Sequence, residues 1–328
     1  RVSISTVNQA YAALQELGVL RVRPQSGYFV DAQVERQQRS QPPRKTTVSQ
    51  QPRRVRFGEL FEEIFSVAND PQVVPLGAAV PSVDLMPVKG LLRATQRAAA
   101  REPENAVNYC FPPGNLDLRH EIARRYVDLG LSVDPENIII TSGCSEALSL
   151  SLHAVARRGD IVAVESPTYF SVLRLMERMG LLAVEIDSDP ETGLCLDALE
   201  SVIETMDIKA VVAVLNFSNP VGSLMPDANK ERLVGMLEQA DIPLIEDDIH
   251  GDLHFGEQRP AIGKCYDRKG MVLTCSSFSK TIAPGYRIGW VIADRYRNDV
   301  LELKHATSSA MCSLPQMAMA DYLRSGEY

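Results

Sequence analysis

A regular alternation over residues 136–280 constrains this chain most. Short apolar runs rich in Val and Ile are "ENIIITSG", "DIVAVES", "LLAVEID", "KAVVAVLNFSNP", "IPLIEDD" and "GMVLTCSSFSK". Between them lie segments whose apolar residues recur at helical spacing: "SEALSLSLHAVA", "YFSVLRLMERMG", "LDALESVIETM" and "KERLVGMLEQA". Apolar runs of this length read as strands buried on both faces, and helices between them supply the crossovers of a parallel sheet. The expected class is therefore α/β. In such sheets ligands bind beyond the carboxyl ends of the strands.

Several of these strands run directly into polar residues. After "NIIIT" come Ser142, Gly143, Cys144 and Ser145, small residues that open a helix. They could present free N–H groups to an anion, although a small-residue turn also serves as an ordinary cap. After "PLI" come Glu246, Asp247 and Asp248, and after "VVAVL" comes "NFSNPVG". After "MVLTC" comes "SSFSKTIAPGYRIGW", residues 276–290. Acidic residues at strand ends are commonly solvated, and a lone lysine is ordinarily a surface charge. Four such clusters at one sheet edge predict the rim of an active site.

Composition narrows the classes. The 328 residues are 45% hydrophobic and 23% charged, as in ordinary globular chains. No run of eighteen apolar residues predicts a membrane span, and no secretory leader is evident, so the cytoplasm is the expected location. The six cysteines are scattered without a CxxC pair, which reads as reduced thiols. His250 and His254 stand in "HGDLH", which is not the HExxH of a metal helix, and no metal is expected.

The charge is uneven. Residues 1–56 carry ten Lys/Arg against three Asp/Glu, a net of +7, which leaves −15 for the remainder of a chain whose total is −8. A basic head on an acidic body fits either a polyanion-binding head or a solvated tail. Residues 5–17 place Val7, Tyr11, Leu14 and Leu17 at helical spacing, with Ser5 or Thr6 as N-cap and Gly18 as stop. Tyr11, Leu14 and Leu17 are expected in the core of a small domain. "VLRVRPQSGYFV" reads as a hairpin, and residues 31–56, polar, basic and Pro-bearing, read as a flexible linker.

These motifs carry two resemblances. From about residue 57 to 328 the chain resembles a fold-type I aminotransferase, most specifically in "SSFSKTIAPGYRIGW". Residues 1–30 resemble the second half of a GntR-type winged helix-turn-helix. Joined by a basic linker, the two resemble the MocR family of bacterial transcriptional regulators. The implied fold is a three-layer α/β/α large domain preceded by a partial winged helix. The family would continue beyond residue 328 into a small domain bearing the arginine that grips a substrate carboxylate, and the chain reads as a fragment.

The resemblance implies roles for particular residues. Lys280 would carry pyridoxal 5'-phosphate covalently, through an amine kept partly neutral by its surroundings. Ser277 and Arg287, with Ser279 as a weaker candidate, would hold the phosphate, completed by the backbone of Cys144 and Ser145, with Gly143 making room. Asp247 would pair with the pyridine nitrogen so that the ring acts as an electron sink. Asn219 would bond the phenolic oxygen and Tyr169 would stack on the ring. Tyr109, in "NYCFPPGNLDLR", would reach the phosphate of a neighbouring subunit, implying a homodimer. The family usually has a tyrosine shortly after the aspartate. Here His250 either takes its place or is structural. In the head, Ser3, Ser5 and Thr6 at the helix N-terminus would reach operator DNA, with Arg21 and Arg23 before the wing. Plain capping remains the alternative for Ser5 and Thr6. The expected function is a DNA-binding regulator that senses an amine or amino acid. A working aminotransferase and a binding module that has lost its cofactor are the other readings.

Overall fold

The computed structural model describes residues 2–30, 48–56, 72–73 and 79–328. The chain divides into two compact units, residues 1–44 and 45–328. The expected linker lies largely outside the described residues, as does the expected start of the body at residue 57.

In the first unit, helix α1 (Ile4–Glu16) is followed by strands β1 (Leu20–Arg23) and β2 (Gly27–Val30), paired antiparallel with Arg23 opposite Gly27. The N-cap is Ser3, and Ser5 and Thr6 lie inside the first turn. Ser3 alone among the three has the extended backbone a cap needs, and its Oγ accepts from Thr6 N at 3.2 Å. Gly18 terminates the helix with φ +70°. The rings of Tyr11 and Tyr28 meet at 4.6 Å, which lays the helix on the hairpin. The expectation of a core at Tyr11, Leu14 and Leu17 is corrected. Among the described residues the helix buries none, and Leu17 is 75% exposed, because the helix and hairpin described there do not enclose them.

The second unit is built on one large sheet. In chain order its strands are β3 (Arg53–Arg54), β4 (Ile138–Thr141), β5 (Ile161–Ser166), β6 (Leu182–Asp189), β7 (Gly193–Leu194), β8 (Ile208–Ala213), β9 (Leu244–Asp247), β10 (Val272–Ser277) and β11 (Gly289–Ile292). The spatial order is β3-β6-β5-β8-β9-β10-β11-β4, with β7 paired to β6. Strands β6, β5, β8, β9 and β10 pair in parallel. The expectation of a parallel sheet is corrected at both ends: the two-residue strands β3 and β7 pair antiparallel with β6, and β11 departs as well. β11 is antiparallel to both β10 and β4. The chain turns straight back after "SSFSKTIAPGYR" with no crossover helix, and a short return forces the antiparallel direction.

Strand side chains alternate between faces, and the core obeys that alternation. Ile139, Val162, Val164, Val212 and Ile245 pack with helices α5 (Cys144–Val155) and α6 (Phe170–Met179). Ala163, Val184, Val211 and Leu244 face the other way, against α7 (Leu196–Thr205) and α8 (Asp227–Ala240). Toward β4, Ile138, Ile140, Trp290 and Ile292 pack with Leu118 and Ile122 of α4 (Leu116–Val127) and with Leu91 and Ala94 of α2 (Val88–Arg101). The short α3 (Pro103–Val107) lies between those two helices in the chain, and α9 (Arg297–Ser308) and α10 (Ser313–Arg324) come after β11. No helix among the described residues is long and apolar enough to cross a membrane.

One buried acid gives this core a pH signature. Glu165 on β5 is 2% exposed and accepts from Val214 N at 3.0 Å. Burial pushes its carboxyl from 4.5 up to about 8, against the pull of that N–H. The folded chain thus holds this proton more tightly than the unfolded chain, so the contribution is full below about pH 4.5 and is lost as pH rises through about 8. Glu165→Gln keeps an oxygen for Val214 and cannot titrate. Its melting temperature should fall less than the wild type's between about pH 5 and about pH 9. Equal falls in a calorimetric comparison would refute the assignment.

Candidate functional site

The polar residues converge because their strands end together. Cys275 of β10 lies opposite Asp247 of β9, Ser277 lies opposite Gly289, and Gly289 lies opposite Thr141 at the end of β4. This register brings Asp247, Ser277, the start of α5 and the turn before β11 to one edge.

One corner is made by glycines and an arginine. Gly143 has φ +82° and is the N-cap of α5, with no side chain capping the helix. The first-turn N–H groups of a helix lack internal partners and carry the positive end of its dipole. Arg287, itself left-handed at φ +54°, donates from Nη2 to Ser142 O at 2.9 Å and lies where a Cβ on Gly143 would go. Gly289 presses on the same backbone: a Cβ there would lie 2.7 Å from Gly143 Cα and 2.8 Å from Cys144 N. Ser277 is buried, and its Oγ accepts from Ser279 N at 3.3 Å. Ser145 is exposed beside this corner.

The other half holds the ionisable groups. Asp247 is 4% exposed, and its Oδ1 accepts from Cys144 Sγ at 3.3 Å and Ile249 N at 3.2 Å. Burial pushes its carboxyl up to about 6, while both hydrogen bonds and the charge of Lys280 pull it down. Lys280 is half-buried and donates from Nζ to Ala79 O at 2.8 Å. Burial lowers its pKa, and Asp247 partly offsets that. His250 is held below its ordinary value by burial and then by the charge of Lys280, and its Nδ1 is buried without a hydrogen-bond partner. Asn219 precedes a cis proline after β8, and Tyr169 is the half-buried N-cap of α6. A cavity of about 1020 Å³ opens beside Lys280, lined also by Ser279, Arg125 and Arg259.

Residues 71–325 match the aminotransferase class I and II family. The chain belongs to that family. Over its whole length it is also 39% identical to the HTH-type transcriptional regulator YjiR of Escherichia coli K12, and it is 36% identical over 99% to YdcR of the same strain. It spans 69% of each regulator. Pairing a helix-turn-helix regulator with this family is the MocR arrangement. Among solved structures it is similar to an archaeal alanine:glyoxylate aminotransferase, 27% identical with TM-score 0.71, covering 75% of this chain and 62% of that one. It is also similar to the kynurenine aminotransferase of Pyrococcus horikoshii in complex with PMP, 25% identical with TM-score 0.74, covering 83% and 68%.

Pyridoxal phosphate is the cofactor of the aminotransferase class I and II family, and the residues present fit it. The uncapped helix start beside an arginine suits a phosphate, the half-buried amine of Lys280 suits an aldehyde, and the orphaned Nδ1 of His250 suits a polar partner. Tyr109 stands apart: it is 76% exposed, against Phe111 at 5.7 Å. In the other unit, Ser3 Oγ lies 2.7 Å from Ser5 Oγ and 2.8 Å from Thr6 Oγ1, so these hydroxyls are engaged with one another. Arg21 is exposed, and Arg23 lies over the Phe29 ring at 4.9 Å.

Two supporting groups escaped the sequence reading. Glu146 accepts from Ser142 N at 2.6 Å, Lys304 Nζ at 2.7 Å and Ser308 Oγ at 2.7 Å, which fixes the loop before α5. An acid two residues into a helix was a usable signal for the first of these, but nothing local announces Lys304. Arg259 pairs with Asp248 and Asp252 beneath the cavity, across a loop that only the fold closes.

The glycine contact has a measurable consequence. Gly289→Ala would drive a methyl group into backbone on which nothing flexible can yield. It should destabilise the chain by about 1–3 kcal/mol in urea denaturation. A loss below about 0.5 kcal/mol would mean that the two strands separate easily.

Proposed function

We propose that this chain is a cytoplasmic DNA-binding transcriptional regulator whose aminotransferase-like body binds pyridoxal phosphate on Lys280 and senses a small amine or amino acid. The observation that carries the reading is the meeting of three groups at one sheet edge. They are the half-buried Lys280, the buried Asp247 and the uncapped start of α5 under Arg287. They occur in a chain similar along its whole length to helix-turn-helix regulators.

In this reading the cofactor, when bound, supplies the electrophilic aldehyde and the electron-withdrawing ring. The protein's own groups do the rest. Burial lowers the pKa of Lys280 and raises the share of neutral amine able to attack a carbonyl. Asp247 would pair with the ring nitrogen and keep a proton there. Arg287, Ser277 and Ser279, with the N–H groups around Gly143, Cys144 and Ser145, take the phosphate. Asn219 and His250 serve the phenolic oxygen, and Tyr169 covers the ring. Tyr109, exposed, completes the site of a second copy in a homodimer. Ser3, Ser5, Thr6, Arg21 and Arg23 meet operator DNA. An effector switches transcription only if it binds two arrangements of the protein unequally.

The test is a visible-absorbance titration of the whole protein with pyridoxal phosphate, then borohydride reduction and peptide mapping. A visible band and an adduct on Lys280, both lost in Lys280→Ala, are expected. Absence of both would refute the cofactor reading. Operator binding should weaken as salt rises, with log affinity falling linearly in log salt. A flat salt profile would remove the electrostatic account of the basic head. Amino transfer at enzymatic rates without operator binding would instead establish a working aminotransferase.

A further inference from the structure

Cys144 belongs to both halves of the site. It is the first residue of α5, so its backbone N–H sits in the uncapped first turn beside Gly143 and Arg287. Its side chain turns the other way, placing Sγ 3.3 Å from Asp247 Oδ1. Both side chains are buried, at 5% and 4% exposure. With Ile249 N also on Oδ1, two donors converge on one oxygen of the carboxylate.

We infer that Cys144 is a positioning residue for Asp247: its thiol holds Oδ1 so that Oδ2 is presented, ionised, to the cofactor's ring nitrogen. The inference rests on the role proposed for Asp247 above. A buried carboxylate needs donors to remain charged, and a hydrogen bond to an ionised acceptor is stronger than one between neutral groups. The thiol can only donate while it keeps its proton. Burial, and then the charge of Asp247, hold its pKa well above the ordinary thiol range. Other charged or titratable groups act on this pair. Lys280 favours the carboxylate, Asp248 opposes it, and Cys275 and Glu165 lie close enough to feel its charge. None of these donates a hydrogen bond to Oδ1, so the thiol has a role they do not share. One short side chain thereby links the phosphate end of the site to its ring end, and an error in one would be felt at the other.

The experiment uses the full chain as wild type, Cys144→Ala and Cys144→Ser. Three quantities are measured: the dissociation constant for pyridoxal phosphate, the pH dependence of its binding, and the melting temperature without cofactor. Alanine should weaken binding by about threefold to tenfold, the worth of one such hydrogen bond. The loss should grow as pH falls toward about 6, where Asp247 takes up a proton. Serine also donates, so it should bind within about twofold of wild type and restore the pH profile. Alanine binding as tightly as wild type would overturn the inference. So would serine behaving like alanine, or losses that track a lower melting temperature with no change in the pH profile. A wild-type chain that binds no cofactor would instead refute the reading of the site itself.

Discussion

The site depends on the contact between Gly289 and Gly143. β11 is the single antiparallel strand inside an otherwise parallel run, and its first residue pairs with Ser277 on one side and Thr141 on the other. At that point the backbones of Gly289 and Gly143 touch, leaving no room for a Cβ on Gly289. The turn before β11 therefore lies beside the start of α5. Arg287 in its left-handed conformation reaches back to Ser142 O, over the very N–H groups the helix leaves free. A bulkier residue at position 289 would separate the strands, and the arginine, the helix start and Ser277 would no longer share a corner.

Electrostatics selects among three consecutive acids at the end of β9. Alternate side chains of a strand face opposite sides, so Asp247 and its two neighbours are dealt to different layers. Glu246 accepts from Gly263 N at 2.8 Å. Asp248 pairs with Arg259 and accepts from Asn216 Nδ2 at 3.4 Å. Asp247 receives a thiol and a backbone N–H, with Lys280 as the cation that favours its ionised form. The outer two are built into loop and ion-pair structure. All three are buried, and burial raises Glu246 to about 7 and Asp247 to about 6; what sets the middle one apart is the nearby charge of Lys280. A carboxylate in that state gains most from a positively charged ring nitrogen, because charge pairing offsets its desolvation.

The sequence pattern conveyed the strands and helices of residues 138–277 well because each is one uninterrupted period. "NIIIT" and "VVAVL" cannot sit on a surface, and "YFSVLRLMERMG" stops at Gly180, which is left-handed in the fold. β11 was not separable from its motif. "GWVI" is four residues long, and its direction is set by the turn before it and its neighbours on both sides. Helix α2 carries four arginines and lysines and buries only Gly90, Leu91, Ala94 and Ala98, so its apolar stripe is made of small residues and reads weakly. Within the site, residue types were legible and partners were not. Nothing in "TSGCSEAL" says that Cys144 turns to Asp247, 103 positions away. The helix cap was misplaced by two or three residues because Ser3, Ser5 and Thr6 are all good caps and only backbone geometry separates them.

The end of the basic stretch behaves unlike a free linker. Arg53 and Arg54 pair with Ala183 and Leu182 at the outer edge of β6, and Val48 N donates to Asp187 Oδ1 at 2.7 Å. Gln50 Nε2 reaches Ala198 O at 3.5 Å. A sheet edge exposes unpaired N–H and C=O groups, and an added strand, even of two residues, satisfies them. Contacts of this kind contribute about 0.5–1.5 kcal/mol each. β6 is also the neighbour of β5, beyond whose end stands Tyr169. The residues that enter the body from the basic stretch are thus fastened one strand away from a wall of the candidate site.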